Sequence, residues 1–375
     1  MGALNFFLIA GEPSGDKLGA ALMAGLRSLV PDCTFQGVGG PLMQACGMTS
    51  LYPMQELSVM GIAEVLPKYF ALKRRIAETA KAVVAARPAA LITIDSPDFC
   101  LRVAALVKAA CPSQRTIHYV APSVWAWRPG RAVKMARVID HVMALLPFEP
   151  PHMTAAGMSC DFVGHPVVTD PLAIGAERAS LAGLSRPLIL CLPGSRKSEV
   201  TRLAPRFGDT LKILQQTHPN LSVALPTLGH LAPLVRSLTQ NWPVRPRLIL
   251  DPAEKRAAFA VADVALAASG TVSLELAANQ MPMVIAYDMH PISWWLMNRM
   301  SLTDTYTLVN LVSQTRAIPE FIGPACLPGP IAAALNAVMR DSTRQRAAMS
   351  LTMQRLGQGG EPPGLRAARS VMAHL

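Results

Sequence analysis

The chain has 375 residues, 51% of them hydrophobic and 16% charged, and carries a formal charge of +11. That length favours two domains over one core, and the hydrophobic content excludes a disordered chain. The positive excess points to an anionic partner (nucleic acid, a phosphorylated substrate or an acidic membrane surface), but the lack of a long Lys/Arg block argues against a nucleic-acid-binding arm.

Asn5–Ala10 is predicted as a strand, followed by a loop over Gly11–Asp16 and a helix over Lys17–Leu29. Strand, glycine-containing loop and helix make the first unit of a doubly wound parallel sheet. The GxGxxG fingerprint is missing, so a dinucleotide is not expected here; Glu12, Ser14 and Asp16 suit sugar hydroxyls instead. Phe6–Ala10 is too short for a signal h-region, and no run approaches the roughly 20 apolar residues of a spanning helix. The expected location is therefore cytoplasmic, soluble or peripheral.

Thr34–Val38 is a second strand, ending in Gly39-Gly40, where backbone can come close to a ligand. Leu57–Ile76 carries Val59, Met60, Ile62, Val65, Leu66, Tyr69, Phe70 and Leu72 ahead of Lys73-Arg74-Arg75, and Pro67 is expected to interrupt any helix. This composition fits either a core helix with a solvated end or an interfacial membrane anchor. Ala89–Ile94 is a third strand, with Asp95 and Asp98 just past it. Open α/β sheets bind ligands at the carboxyl ends of their strands, whereas helices recruit acids as caps. The cap suits Asp98, before a helix over Phe99–Ala110; the ligand site suits Asp95.

Arg115–Val120 is another strand, and Trp125, Trp127 and Arg128 follow it. They form either a stacking and anion-binding wall or a loop pinned by buried tryptophan. His141–Leu146 is a further strand, and Phe162–Pro166 leaves the first domain, with His165 either catalytic or structural. From about Pro171 the pattern restarts, with strands at Leu188–Leu192, Ser222–Leu225, Arg247–Leu250, Val264–Ala267 and Met283–Ile285. Two successive βα arrays imply an α/β protein of two facing Rossmann-like domains with parallel sheets and a cleft between them.

In the second array, Pro193-Gly194 ends the strand and brings Ser195, Arg196 and several backbone N–H groups to a helix N-terminus. That is either a phosphate cradle or an ordinary turn with a surface arginine. Ser269, Gly270 and Thr271 form a similar loop, and Glu275, one turn later, is either a ribose ligand or a first-turn acid. Asn310 stands among apolar residues, and helices run from Gly329 to the end. Domains are expected at residues 1–168 and 169–340, with a helical segment over 341–375. The seven scattered cysteines include no CxxC pair and read as small core residues in a reducing compartment.

Ten motifs then run in one order along nearly the whole chain: AGEPSGD (10–16), GVGGPLMQ (37–44), ELSVMGIAEVL (56–66), IDSPDF (94–99), IHYVAPSVWAWRPGR (117–131), LPFE (146–149), FVGHP (162–166), LPGSRKSE (192–199), ASGTVSLE (268–275) and PMVIAY (282–287). Together they resemble the lipid-A-disaccharide synthase family, glycosyltransferases of GT-B fold from Gram-negative lipid A synthesis. The resemblance implies inverting transfer from UDP-2,3-diacylglucosamine to 2,3-diacylglucosamine 1-phosphate, giving the β-1,6-linked disaccharide 1-phosphate and UDP. It implies neither metal nor other cofactor, peripheral attachment to the inner membrane, and a homodimer that could exchange C-terminal elements; otherwise the last helices pack back on the first domain.

By residue, the resemblance makes Asp95 the base, with Glu12, Ser14 and Asp16 shaping the acceptor side. Ser195, Arg196, Ser269, Gly270 and Thr271 receive the diphosphate, Glu275 the ribose and Asn310 the nucleotide. Leu57–Ile76 becomes the acyl-chain and membrane contact. Val309 stands where the family pattern has proline. Rival expectations are a UDP-N-acetylglucosamine epimerase-like enzyme, which needs no acyl surface, a basic nucleic-acid-binding protein, which needs clustered Lys/Arg, and a lipid carrier, which leaves the polar loops without use.

Overall fold

Apolar strands alternating with helices of one apolar face can bury both sheet faces only as parallel βαβ layers. The computed structural model describes residues 4–57 and 62–375, with the backbone alone over 62–69. It forms two compact units, Met1–Pro166 together with Gly359–Leu375, and Val167–Gln358.

The first unit has seven strands: β1 (Asn5–Ala10), β2 (Thr34–Val38), β3 (Thr49–Ser50), β4 (Ala90–Ile94), β5 (Thr116–Tyr119), β6 (His141–Ala144) and β7 (Ser159–Phe162). Their order is β3-β2-β1-β4-β5-β6-β7. Every pair is parallel, and Ala10 faces Ile94 across the central pair. The chain builds outward one way through β2 and β3, returns, and builds the other way from β4. The direction of growth therefore switches between β1 and β4, which opens a crevice beyond their carboxyl ends. Gly37 lets β2 lie against β1: its φ is +140°, and a Cβ there would stand 1.8 Å from the Leu8 carbonyl oxygen.

The second unit has six strands: β8 (Leu188–Leu192), β9 (Ser222–Pro226), β10 (Arg247–Ile249), β11 (Val264–Ala267), β12 (Met283–Tyr287) and β13 (Glu320–Ile322). They lie in the order β10-β9-β8-β11-β12-β13. All pairs are again parallel, and the switch falls between β8 and β11. Every residue of Leu188–Leu192 is buried, as a central parallel strand requires.

The C-terminal segment 341–375 is divided between the units. Helix Thr343–Arg355 stays on the second, where the buried Gln345 amide donates to the Met283 carbonyl (3.0 Å) and accepts from the Met283 N–H (2.8 Å), extending the sheet like one more residue of strand. Helix Pro363–Ala373 returns to the first unit and crosses helix Pro13–Leu29 at backbone contact. A Cβ on Gly25 would come 2.5 Å from the Gly364 carbonyl oxygen, and one on Gly364 would come 2.6 Å from that of Ala21. Side chains finish the seam. The buried His141 bonds Ser159 Oγ through Nδ1 and Ser370 Oγ through Nε2, both at 2.8 Å. Ser370 donates onward to Asp161 (2.8 Å), and Arg366 donates to the Phe162 carbonyl (2.7 Å).

Several boundaries differ from expectation. The first helix begins at Pro13, not Lys17, because proline suits the first helical position and needs no N–H partner there. The helix after β4 begins at Pro97 with Ser96 at its N-cap, so Asp98 is a first-turn acid and not the cap. The helix Ile62–Ala86 runs through Pro67, which near the N-terminal end forfeits one backbone bond without ending the helix. Strands β3, β7 and β13 had no counterpart in the sequence reading, because TS, SCDF and EFI are partly exposed edge segments without an apolar run. Val309 is buried in the first turn of the helix Leu308–Ser313, a position whose N–H lacks an intrahelical partner with valine or proline alike. No helix among the described residues is long and apolar enough to cross a membrane.

Candidate active site

Each unit gathers its polar candidates at its own switch point. On the first, Glu12 follows β1 and Asp95 follows β4. The two loops pack so closely that a Cβ on Gly11 would meet Ser96 Oγ at 2.6 Å. Asp95 and Ser96 both adopt left-handed backbone, with φ of +52° and +45°. Two consecutive non-glycine residues in this region are costly, and such strain concentrates where a side chain must be aimed. The Asp95 N–H is held by the Tyr119 carbonyl at 2.9 Å. Its half-buried carboxylate has no hydrogen bond or ion pair among the described residues. Glu12 is half-buried at the N-cap and makes no side-chain cap bond, while Ser14 is exposed in the first turn.

Asp16 is placed differently. It is 2% exposed, and its carboxylate accepts from the N–H groups of Gly40 (2.9 Å), Leu42 (2.9 Å) and Met43 (3.0 Å). All of its acceptor capacity that the fold can reach is spent on the short helix Pro41–Ala45, so it positions Gly39-Gly40 rather than facing a ligand.

The tryptophan loop is pinned from beneath. Trp125 donates its indole N–H to Glu149 (3.3 Å) and meets Phe148 edge-on at 5.2 Å. Glu149 is buried, also accepts from the Leu146 N–H (3.0 Å), and burial pushes its carboxyl up to about 7. The more exposed Trp127 lies under the Arg128 guanidinium, 4.4 Å from ring to carbon. Sequence reasoning passed over Glu149; its signal was the acid ending LPFE, at the carboxyl side of β6.

On the second unit, Ser195 and Arg196 follow β8, and both are exposed. Arg196 is the N-cap of the helix Lys197–Thr217, and its guanidinium meets Glu199 at 3.1 Å. Glu199 also accepts from the N–H groups of Ser195 (3.0 Å) and Arg196 (3.2 Å). Two of the backbone donors expected to cradle a phosphate, those of Ser195 and Arg196, are thus taken by this carboxylate, a capping interaction the sequence reading overlooked despite the acid three residues past the cap. The side chains of Ser195 and Arg196 remain outward. Beside them, burial raises the Tyr287 hydroxyl above its usual range.

Across this switch, Gly270 and Thr271 are exposed after β11, and a Cβ on Gly270 would meet nothing within 4 Å. Ser269 donates to the Tyr306 carbonyl (3.5 Å). Thr305 and the backbone of Tyr306 and Thr307 are clamped on Glu320, leaving the buried Thr307 hydroxyl without a partner. Glu275 pairs with Lys255 (2.8 Å) at half exposure. Asn310 is buried with its amide wholly committed: Nδ2 donates to the Ile318 carbonyl (2.9 Å) and Thr305 Oγ1 (3.3 Å), and Oδ1 accepts from the Ile318 N–H (3.0 Å). It braces the loop instead of presenting itself to a nucleotide.

Val59 and Met60 lie outside the described residues, as do the side chains of Ile62, Val65, Leu66 and Tyr69. In the same helix Phe70 is 80% exposed and Leu72 half-buried.

Comparison with known proteins bears on these arrangements. A family model described as Lipid-A-disaccharide synthetase matches residues 6–371. A lipid-A-disaccharide synthase from Ruegeria pomeroyi is 61% identical over 384 aligned residues, spanning 99% of this chain and 96% of the relative. Among solved structures, UDP-GlcNAc 2-epimerase from Neisseria meningitidis bound to UDP-GlcNAc gives a TM-score of 0.62 at 12% identity, covering 99% of this chain and 98% of that one. MurG from Acinetobacter baumannii gives 0.57 at 13% identity, covering 99% of each. At such identity the solved structures establish a shared GT-B fold of two Rossmann-like domains.

Proposed function

The chain belongs to the lipid-A-disaccharide synthase family, and from that premise we propose how its residues divide the work of joining two sugars. The enzyme is a glycosyltransferase that forms the lipid A disaccharide from a UDP-sugar and a lipid acceptor. The finer assignment is UDP-2,3-diacylglucosamine as donor and 2,3-diacylglucosamine 1-phosphate as acceptor. The first unit serves the acceptor and the second the donor.

A sugar hydroxyl is a weak nucleophile until a base removes its proton during attack. Asp95 is that base: it takes the proton of the acceptor 6-hydroxyl as the oxygen bonds to the donor's anomeric carbon. The bond to UDP breaks on the opposite face, so the configuration inverts. Glu12 and Ser14 orient the acceptor ring, and Asp16 acts at one remove by holding Gly39-Gly40. On the donor side the departing diphosphate gains charge, which fixed positive groups stabilise without reorganising. Because Glu199 occupies the amides of Ser195 and Arg196, the Arg196 guanidinium and the hydroxyls of Ser195, Ser269 and Thr271 carry this role, and the open backbone at Gly270 lets a phosphate come close. Glu275 holds the ribose from one carboxylate oxygen while Lys255 holds the other, and Asn310 keeps the Thr305–Thr307 loop in place. Phe70 and Leu72, with the apolar residues before them, meet acyl chains at the inner membrane surface.

The observation that carries this reading is the Asp95 carboxylate, without a hydrogen bond or ion pair among the described residues, on a left-handed pair at the first switch point. It is tested with purified Asp95→Asn protein and both lipid substrates in detergent, following UDP and disaccharide. Turnover is expected to fall by about 10²- to 10⁴-fold with unchanged thermal unfolding; turnover near that of the unaltered enzyme removes Asp95 from the role.

A further inference from the structure

The helix Pro291–Met300, PISWWLMNRM, follows β12 and buries none of its residues. Large apolar side chains on both the inner and the outer stripe of a helix belong in a core or against lipid, and the outer stripe of this one is not in a core. Trp294 fastens its inner side: Gly323 (φ +59°) lies so close beneath the indole that a Cβ there would stand 2.6 Å from the ring. Met297, one turn on, is half-buried on the same side. The opposite stripe is apolar too, with Ile292 70%, Trp295 62% and Leu296 45% exposed, and Leu302 just beyond the helix 61% exposed. Arg299 continues that stripe, its guanidinium 5.9 Å from the centre of the Trp295 ring. From Met289 to Thr303 there is one arginine and no acid.

We propose that this stripe is a second lipid contact, by which the donor unit seats on an anionic phospholipid bilayer. Ile292, Trp295, Leu296 and Leu302 enter the interfacial layer, and Arg299 stays among the headgroup phosphates. Tryptophan and arginine suit that depth because each joins an apolar body to a polar end. Charge complementarity selects the occupant: the flanking acids are neutralised, Asp288 by Arg206 (3.0 Å) and Asp304 by Arg316, so Arg299 sets the sign of the stripe, and a chain of formal charge +11 is drawn to an anionic surface. The proposal is independent of the base assigned to Asp95 and of the Phe70 helix, which lies on the other unit.

The test is partition of the full-length protein onto phosphatidylethanolamine vesicles with and without phosphatidylglycerol, alongside turnover of detergent-dispersed substrates. The triple variant Ile292→Ser/Trp295→Ser/Leu296→Ser is expected to lose about tenfold or more in partition coefficient while keeping detergent turnover, which also reports that it has folded. Arg299→Glu is expected to lose partition only where phosphatidylglycerol is present. Unchanged partition by both variants overturns the proposal. So does a variant whose mass in light scattering halves, which gives the stripe to a second copy of the chain. A raised KM for donor at unchanged partition gives it to the substrate's acyl chains and equally overturns it. Failure of the catalytic reading is seen separately, as absence of disaccharide from the unaltered enzyme in detergent.

Discussion

Asp16 and Asp95 are carboxylates at the same edge of one sheet, six and one residues past their strands, and their surroundings give them opposite work. Asp16 is enclosed and shared among three amides; Asp95 has no side-chain partner among the described residues. Asp16→Ala should therefore lower unfolding stability by about 2 kcal/mol in urea titration, since charged hydrogen bonds are lost and amides are left unmet. Asp95→Ala should leave that stability nearly unchanged. The motifs AGEPSGD and IDSPDF expose the two acids to a sequence reader but cannot separate their roles, because the partners of Asp16 come from residues 24 to 27 positions away. Asn310 was misread for the same reason: it is polar among apolar neighbours, and its partner Ile318 is found only once the loop has closed. Arg196 and Gly270 were legible because a strand end followed by a turn fixes their place locally.

At the scale of elements, strands with an apolar run could be read from the sequence, down to the short edge strand β10, whereas β3, β7 and β13 could not, and the order of strands within each sheet came only with the fold. The last helix shows what periodicity leaves out: its destination depends on a glycine-to-glycine crossing and on one histidine. His141, buried and close to His374, has its ring pushed down to about 4 from the usual 6.5. In the unfolded chain it takes a proton near 6.5, so the folded state is the poorer proton acceptor. Its contribution is whole above about pH 6.5 and is lost as pH falls toward 4. His118, also pushed down to about 4 by burial, acts in the same direction, whereas Glu149, pushed up to about 7, acts in the opposite one. Global stability therefore mixes these signs, and the informative readout is local. Protection of the amides across Pro363–Ala373, corrected for the intrinsic pH dependence of exchange, should fall as pH is lowered from 6.5 to 4, and His141→Gln should flatten that fall.

At the scale of the molecule, two βα arrays of similar size were visible as a repeated pattern, and both switch points follow from strand order alone. The return of Gly359–Leu375 to the first unit leaves no mark in composition, because it is a property of packing. A chain ending at Gln358 should keep the second unit's exchange protection, while Pro13–Leu29 and strands β6 and β7 lose theirs; equal protection in both units would show that the helix is dispensable.

That late return also bears on how the protein is made. The first sheet leaves the ribosome early, yet the helix that covers its flank is translated only after the entire second unit. Throughout that interval the Ala21–Gly25 face and His141 stand bare to water. Translation stalled between Gln358 and Pro363 would release a polypeptide with a finished second unit and an uncovered flank on the first, a form that chaperones and proteases can tell from one that carries the helix.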